Sequence, residues 1–203
     1  MKSIIGIKTG IQNKEADNVI ARKLFLSYST EVFKDNEDAE FYIKNRISTN
    51  FNIPFSSVEI AGSSKTGLSF IKCTKFTPKI SDLDIAIISM PLFIKYCEIA
   101  HKTTKGYTDL TSFPVINGQN TLKQFRNGIS SNGFLNPFIM PNCNHKYDWL
   151  QFFNSLSNTY HHLFKNINAA IYASEYFFES KQEKCIQNYH GNTKEYDKIS
   201  STV

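Results

Sequence analysis

The chain has 203 residues, 41% hydrophobic and 20% charged, which suits a single soluble domain with a substantial core. Its formal net charge of +5, from 23 Lys plus Arg against 18 Asp plus Glu, favours anionic partners, yet no basic run is dense enough for a nucleic-acid-binding arm. No segment is long enough to span a membrane, and the N-terminus lacks the apolar stretch of a signal peptide, so a cytoplasmic location is expected.

Taken in chain order, residues from about 14 to 33 read as a helix. Ile20, Leu24, Leu26 and Val32 supply its apolar positions, and Glu15 and Asp17 sit near its start. A second helix is expected over 37–50, with Phe41, Ile43 and Ile47 as buried candidates, before Pro54 ends helical structure. Val58 to Ala61 is short and β-prone and stops at Gly62; the small polar stretch to Ser69, GSSKTGLS, reads as a turn that opens a helix. Asp84 to Ser89, DIAIIS, is the strongest strand, and Pro91 suits the first turn of a helix over 92–101.

From Thr103 to Cys143 the chain is rich in Gly, Asn, Pro and Ser and reads as an irregular excursion with one helix at 121–127. Residues 146–164 make the next helix. Trp149, Phe152, Phe153, Leu156, Tyr160 and Leu163 give it a broad apolar face, suited to core packing or, alternatively, to base stacking. A strand at 167–173 and a helix at 174–189 follow, and residues 191–203 read as a frayed polar tail. The expected fold class is α+β, a small mixed β-sheet flanked by helices in one domain over 1–190. Cys73, Cys97, Cys143 and Cys185 form no Cys-x-x-Cys pair; Cys143 and His145 alone approach ligand spacing, and a zinc site needs a second such pair.

The residues that carry chemistry begin with Asp82 and Asp84. Side chains two apart on a strand project from one face, about 6.6 Å apart along it, and two such carboxylates reach divalent ions spaced about 3.5–4 Å. Without a cation, like charges at the head of a buried strand repel each other. Leu83 points the other way, into a core. An isolated Asp-x-Asp also fits two exposed acids at a strand start. Upstream, a strand ending at Gly62-Ser63 places backbone amides where phosphate oxygens bind. Glycine permits the close approach, Ser63 and Ser64 bring hydroxyls, and Lys65 brings a full positive charge. A Walker-type loop is excluded, because no Gly-Lys-Ser/Thr follows a glycine at the required interval.

Together, Ala61-Gly62-Ser63 and Ser81-Asp82-Leu83-Asp84-Ile85 resemble the DNA polymerase β-like nucleotidyltransferase superfamily, over a stretch from Val58 to Ile88. The resemblance implies a nucleotidyltransferase-like fold and metal-dependent transfer of a nucleoside monophosphate, from an NTP or dNTP to a hydroxyl acceptor, with release of pyrophosphate. It assigns Asp82 and Asp84 as catalytic residues and ligands of Mg2+ or Mn2+, and Gly62, Ser63, Ser64 and Lys65 as the triphosphate site. Small bacterial members of the superfamily imply a nucleotide or oligonucleotide product in a defence or toxin system, with a protein partner encoded nearby. The acceptor stays open among nucleotide, nucleic acid and protein hydroxyls. Tyr189 and Tyr196 are candidates for self-modification.

Two departures from the family pattern stand out. Eighteen residues separate Ser63 from Asp82, more than is usual, and Lys72, Lys75 and Lys79 within them face substrate or solvent. The family's third carboxylate has no counterpart on the strand at 167–173, where Asn168, Ala170 and Tyr172 share a face. Glu175 is the preferred substitute, with Asp109 and Asp148 more distant. A catalytically degenerate fold that binds a nucleotide or a partner is therefore the alternative. Arg126 fits either a phosphate contact or plain surface.

Overall fold

A computed structural model of the chain describes residues 2–201, apart from the side chains of residues 197 and 199–201. The elements in order are α1 (Lys2–Gln12), α2 (Asp17–Arg22), α3 (Glu37–Phe51), β1 (Val58–Ala61), α4 (Gly62–Thr66), β2 (Leu68–Ser69), β3 (Thr74–Lys75), β4 (Leu83–Ile88) and α5 (Met90–Thr103). There follow β5 (Val115–Ile116), β6 (Gln119–Asn120), α6 (Leu122–Asn132), β7 (Phe134–Leu135), α7 (Asn144–Thr159), β8 (Ile167–Tyr172), α8 (Glu175–Gly191) and α9 (Thr193–Ser201). The main sheet has the order β1-β4-β8-β7, with β1 antiparallel to β4, β4 parallel to β8 and β7 antiparallel to β8. The chain is thus α+β around a mixed sheet, as expected.

Strand β4 lies inside that sheet and its alternation divides the molecule. Leu83, Ile85 and Ile87 enter a core with Val58 and Ile60 of β1, Ile43 and Ile47 of α3, Leu92 and Tyr96 of α5, and Trp149 and Phe153 of α7. Asp84 and Ala86 point to the other face. There Ala86 and Tyr172 pack with Ile7 of α1, Ile20 of α2, Phe178 and Ile186 of α8, and Tyr196 of α9. Local chemistry starts the flanking helices. Asn36 caps α3 by accepting from the Ala39 amide at 3.3 Å, and Ser89 caps α5 by accepting from the Leu92 amide at 3.3 Å, with Pro91 in its first turn.

Several expectations are corrected. The helix expected over 14–33 stops at Arg22, continues as a π-helical turn over Lys23–Ser27 and ends at the extended Tyr28. α1 was not expected, although Ile4 and Ile7 share a buried face. Phe41 is half exposed, because the buried side of α3 runs through Ala39, Ile43 and Ile47. The 103–143 segment is less irregular than its composition suggests: β5 and β6 form a hairpin, and β7 joins the main sheet as an edge strand. α7 buries Trp149, Phe153 and Leu156, which leaves these rings to the core and not to base stacking.

Residues 193–201, expected to fray, form α9, and residues 202 and 203 lie outside the described residues. Tyr196 is the reason. Its ring is fully buried, stacked on Tyr189 with centroids 5.3 Å apart, and its hydroxyl donates to the Phe70 carbonyl at 2.8 Å. Burial of both Tyr189 and Tyr196 removes them as acceptors for self-modification. Tyr196→Ala is expected to cost about 3 kcal/mol in denaturant unfolding, as a buried aromatic truncation does; a loss under about 0.5 kcal/mol, the range of surface changes, would mean that α9 does not pack.

Candidate functional site

The site grows from the pairing of β1 with β4. Their register sets Ala61 opposite Asp84, so the chain leaves β1 at the level of the Asp84 carboxylate. Gly62 takes the next position with φ +62, and a β-carbon there would overlap Asp84 Oδ2. Both the left-handed backbone and the close approach demand glycine. On the other side of β4, parallel pairing brings Asn168 level with Asp84. Asp82, just before the strand, accepts a hydrogen bond on Oδ1 from Asn166 Nδ2 at 3.0 Å. Asp82, Asp84, Gly62 and Asn168 therefore meet at one end of the sheet.

Asp84 is exposed by its surface area, although its carboxylate is crowded by Gly62 and the neighbouring strands. Its carboxyl is pushed up to about 6, first by this loss of hydration and then by the charge of Asp82. Lys181 and Lys72 oppose the rise. Lys181 comes from α8 and spans the rings of Phe134 and Tyr172, 3.5 Å and 5.5 Å from their centroids. Lys181 is exposed by its surface area, but crowding of the ammonium against these rings drives it down to about 8, against the pull of Asp84. Burial, followed by the Asp84 charge, raises the Tyr172 hydroxyl.

The expected triphosphate residues divide. Gly62 lies against Asp84, and Ser63 beside it is half-buried, its hydroxyl free of hydrogen bonds within the protein among the described residues. Ser64 does not join them: it is fully buried, and its hydroxyl donates to the Ala61 carbonyl at 2.8 Å, so none of it is left for a ligand. Lys65 is corrected too. It is 6% exposed, and its charged neighbours are Glu59, Glu40 and Lys44, with neither Asp82 nor Asp84 among them. Lys72, on the β2–β3 hairpin, and Lys181 are the cations near Asp84 instead. Sequence reasoning singled out Lys72 as one of three lysines facing substrate or solvent and missed Lys181, which only the docking of α8 brings in.

The candidate third carboxylates are absent from this place. Glu175 follows β8 at the end remote from Asn168, where it feels Arg22 and Glu59. Asp109 is held by Thr111, whose hydroxyl donates to it at 2.6 Å, and Asp148 stands exposed on α7. Arg126 lies over the Tyr107 ring at 5.3 Å. Among the described residues no three His, Cys, Asp or Glu side chains gather as a metal site, and all four cysteines are free. Nor is any described helix long and apolar enough to cross a membrane. No family model matches the chain, and neither a curated protein nor a solved structure matches it.

The titration of Asp84 gives a test of this crowding. Its folded pKa lies above the unfolded value, so the folded chain binds the extra proton and stability falls as pH rises from about 4 to about 6. In metal-free buffer, Asp84→Asn is expected to be more stable than the parent above pH 6 and to lose that advantage below about pH 4. Urea unfolding across this range checks it, and parallel pH profiles would show that Asp84 ionises as freely when folded as when unfolded.

Proposed function

We propose that the chain is a metal-dependent nucleotidyltransferase, which moves a nucleoside monophosphate from a nucleoside triphosphate to a hydroxyl and releases pyrophosphate. The observation that carries this reading is the close approach of Asp84, on β4, to Gly62, with Asp82 just before the same strand. The mixed sheet supports the reading to the extent that β1 and β4 pair and bring Gly62 and Asp84 together at one end. The donor set fits Mg2+ or Mn2+: two carboxylates, with the Asn168 amide level with one of them, suit an ion that takes one or two protein carboxylates and completes its shell with phosphate oxygens and water. The raised carboxyl of Asp84 marks a negative charge that a cation relieves.

In this reading Asp82 and Asp84 hold the cation, which when bound neutralises charge on the triphosphate and on leaving pyrophosphate. Gly62 keeps the main chain low enough for phosphate to approach, and the Ser63 hydroxyl donates to it. Lys72 and Lys181 add positive charge from the hairpin and from α8, the role first assigned to Lys65. The acceptor oxygen bonds to the α-phosphorus as the bond to the α–β bridging oxygen breaks, and the acceptor's proton leaves to water. Positioning and electrostatics supply the rate. Incubating the chain with a panel of NTPs and dNTPs, with magnesium or manganese, is expected to release pyrophosphate and give an adduct by mass spectrometry. Asp82→Asn and Asp84→Asn each lower turnover at least about a hundredfold; undiminished turnover in Asp84→Asn sinks the assignment.

A second reading, a fold that binds nucleotide or a protein partner without turnover, has one observation behind it. Asn168 occupies the position level with Asp84 and cannot take a proton from the acceptor. Asn168→Asp is expected to raise kcat by about a hundredfold, the scale of a positioned base. A chain inactive both before and after this change favours the binding module, as does nucleotide binding without products.

A further inference from the structure

A second cavity, of about 380 Å³, runs along the free edge of β1 between that strand, α3 and the turn after the π-helical segment. Its volume falls within the range of small-molecule sites, roughly 300–1,000 Å³. Its charges are balanced, with Lys34, Lys44 and Lys65 against Glu37, Glu40 and Glu59. The floor is Lys65, which is 6% exposed and makes no hydrogen bond or ion pair within the protein among the described residues. An ammonium that has lost most of its water and touches no counter-ion is costly, and an anion in the open space it lines relieves that cost. Burial lowers its proton affinity, and the charges of Glu59 and Glu40, acting from beyond contact distance, oppose this only in part.

The walls of the cavity narrow the ligand. Glu59 is largely enclosed and has Lys44 as a distant ion-pair partner at 3.8 Å. Glu40 accepts from the Thr30 hydroxyl at 2.9 Å through one oxygen, so the other is left to the cavity. A phosphate dianion on Lys65 meets three glutamates and is repelled, and a neutral ring system leaves the ammonium unpaired. A molecule with one negative and one positive charge answers both. At the rim Phe41 and Phe55 lie 50% and 41% exposed, their ring centroids 5.7 Å apart, and present apolar area to solvent beside Lys44, whose ammonium lies 5.2 Å from the Phe55 ring. We propose that this cavity binds a free α-amino acid with an aromatic or bulky apolar side chain: its carboxylate on Lys65, its ammonium on Glu59 and Glu40, and its side chain against Phe41 and Phe55. The site is distinct from the Asp84 hollow, whose charged neighbours it does not share, and the proposal stands whether or not the chain transfers nucleotides.

Calorimetric titration of the full chain with L-tryptophan, L-phenylalanine and L-leucine tests it. Saturable one-to-one binding is expected for at least one of them. Affinity should fall at least about tenfold for the N-acetyl derivative, which loses the ammonium, and for the amide derivative, which loses the carboxylate. Lys65→Met is expected to weaken binding by the same factor or more, and the double change Phe41→Ser with Phe55→Ser to weaken the aromatic ligands. Should Lys65→Met fail to fold, the two derivatives on the parent chain decide alone. The proposal is overturned by absence of saturation up to about 10 mM, by equal binding of the blocked derivatives, or by inorganic phosphate or AMP binding where the amino acids do not.

Discussion

Strand β4 has to serve two faces at once, and the rest of the molecule is arranged around that demand. One row of its side chains, Leu83, Ile85 and Ile87, closes a core in which α3, α5 and α7 meet. The other row begins with a charged residue and continues with Ala86, flanked in register by Ala61 or Glu59 on β1 and by Asn168 or Ala170 on β8. The small residues let helices lie close over this second face, while the charged end stays open. A strand with large apolar residues on both rows fills such a hollow; one with charges on both rows loses the core. The alternation sets where a polar ligand meets a rigid sheet.

That placement works against stability. Asp84 ionises in surroundings that hold it up to about 6, beside the like charge of Asp82, while Lys181 is held down to about 8 across two aromatic rings. Neither charge is one that folding alone favours. Their opposite charges partly offset these shifts, since each favours the charged form of the other. Lys65 follows the same logic on the far side of α4, where its lack of a partner is unrelated to the aspartates.

Much of the architecture was legible from local pattern. β1 and β4 announced themselves as short β-prone runs, α3 by its apolar positions and α5 by Pro91 in its first turn, and β8 and α8 were expected close to where they lie. The Asn117-Gly118 pair, both residues in the left-handed region, is the turn signal of the β5–β6 hairpin, and it was legible but passed over within a segment read as irregular. β7 was not legible: two residues become a strand only because β8 is there to pair with them. The site divides in the same way. Asp82, Asp84 and Gly62 lie on consecutive pieces of one antiparallel pair, so their meeting follows from neighbouring sequence. The directions of Ser64 and Lys65 depend on where a five-residue helix packs, and Lys181 reaches Asp84 by tertiary docking alone.

The hydroxyl of Tyr196 reaches back to the Phe70 carbonyl, in the turn of the β2–β3 hairpin that also carries Lys72. The last helix is thereby a clasp on the strip of chain that brings a cation to the aspartates. Displacing α9 removes that hydrogen bond, so the seating of the helix and the position of Lys72 beside Asp84 are linked through one backbone carbonyl.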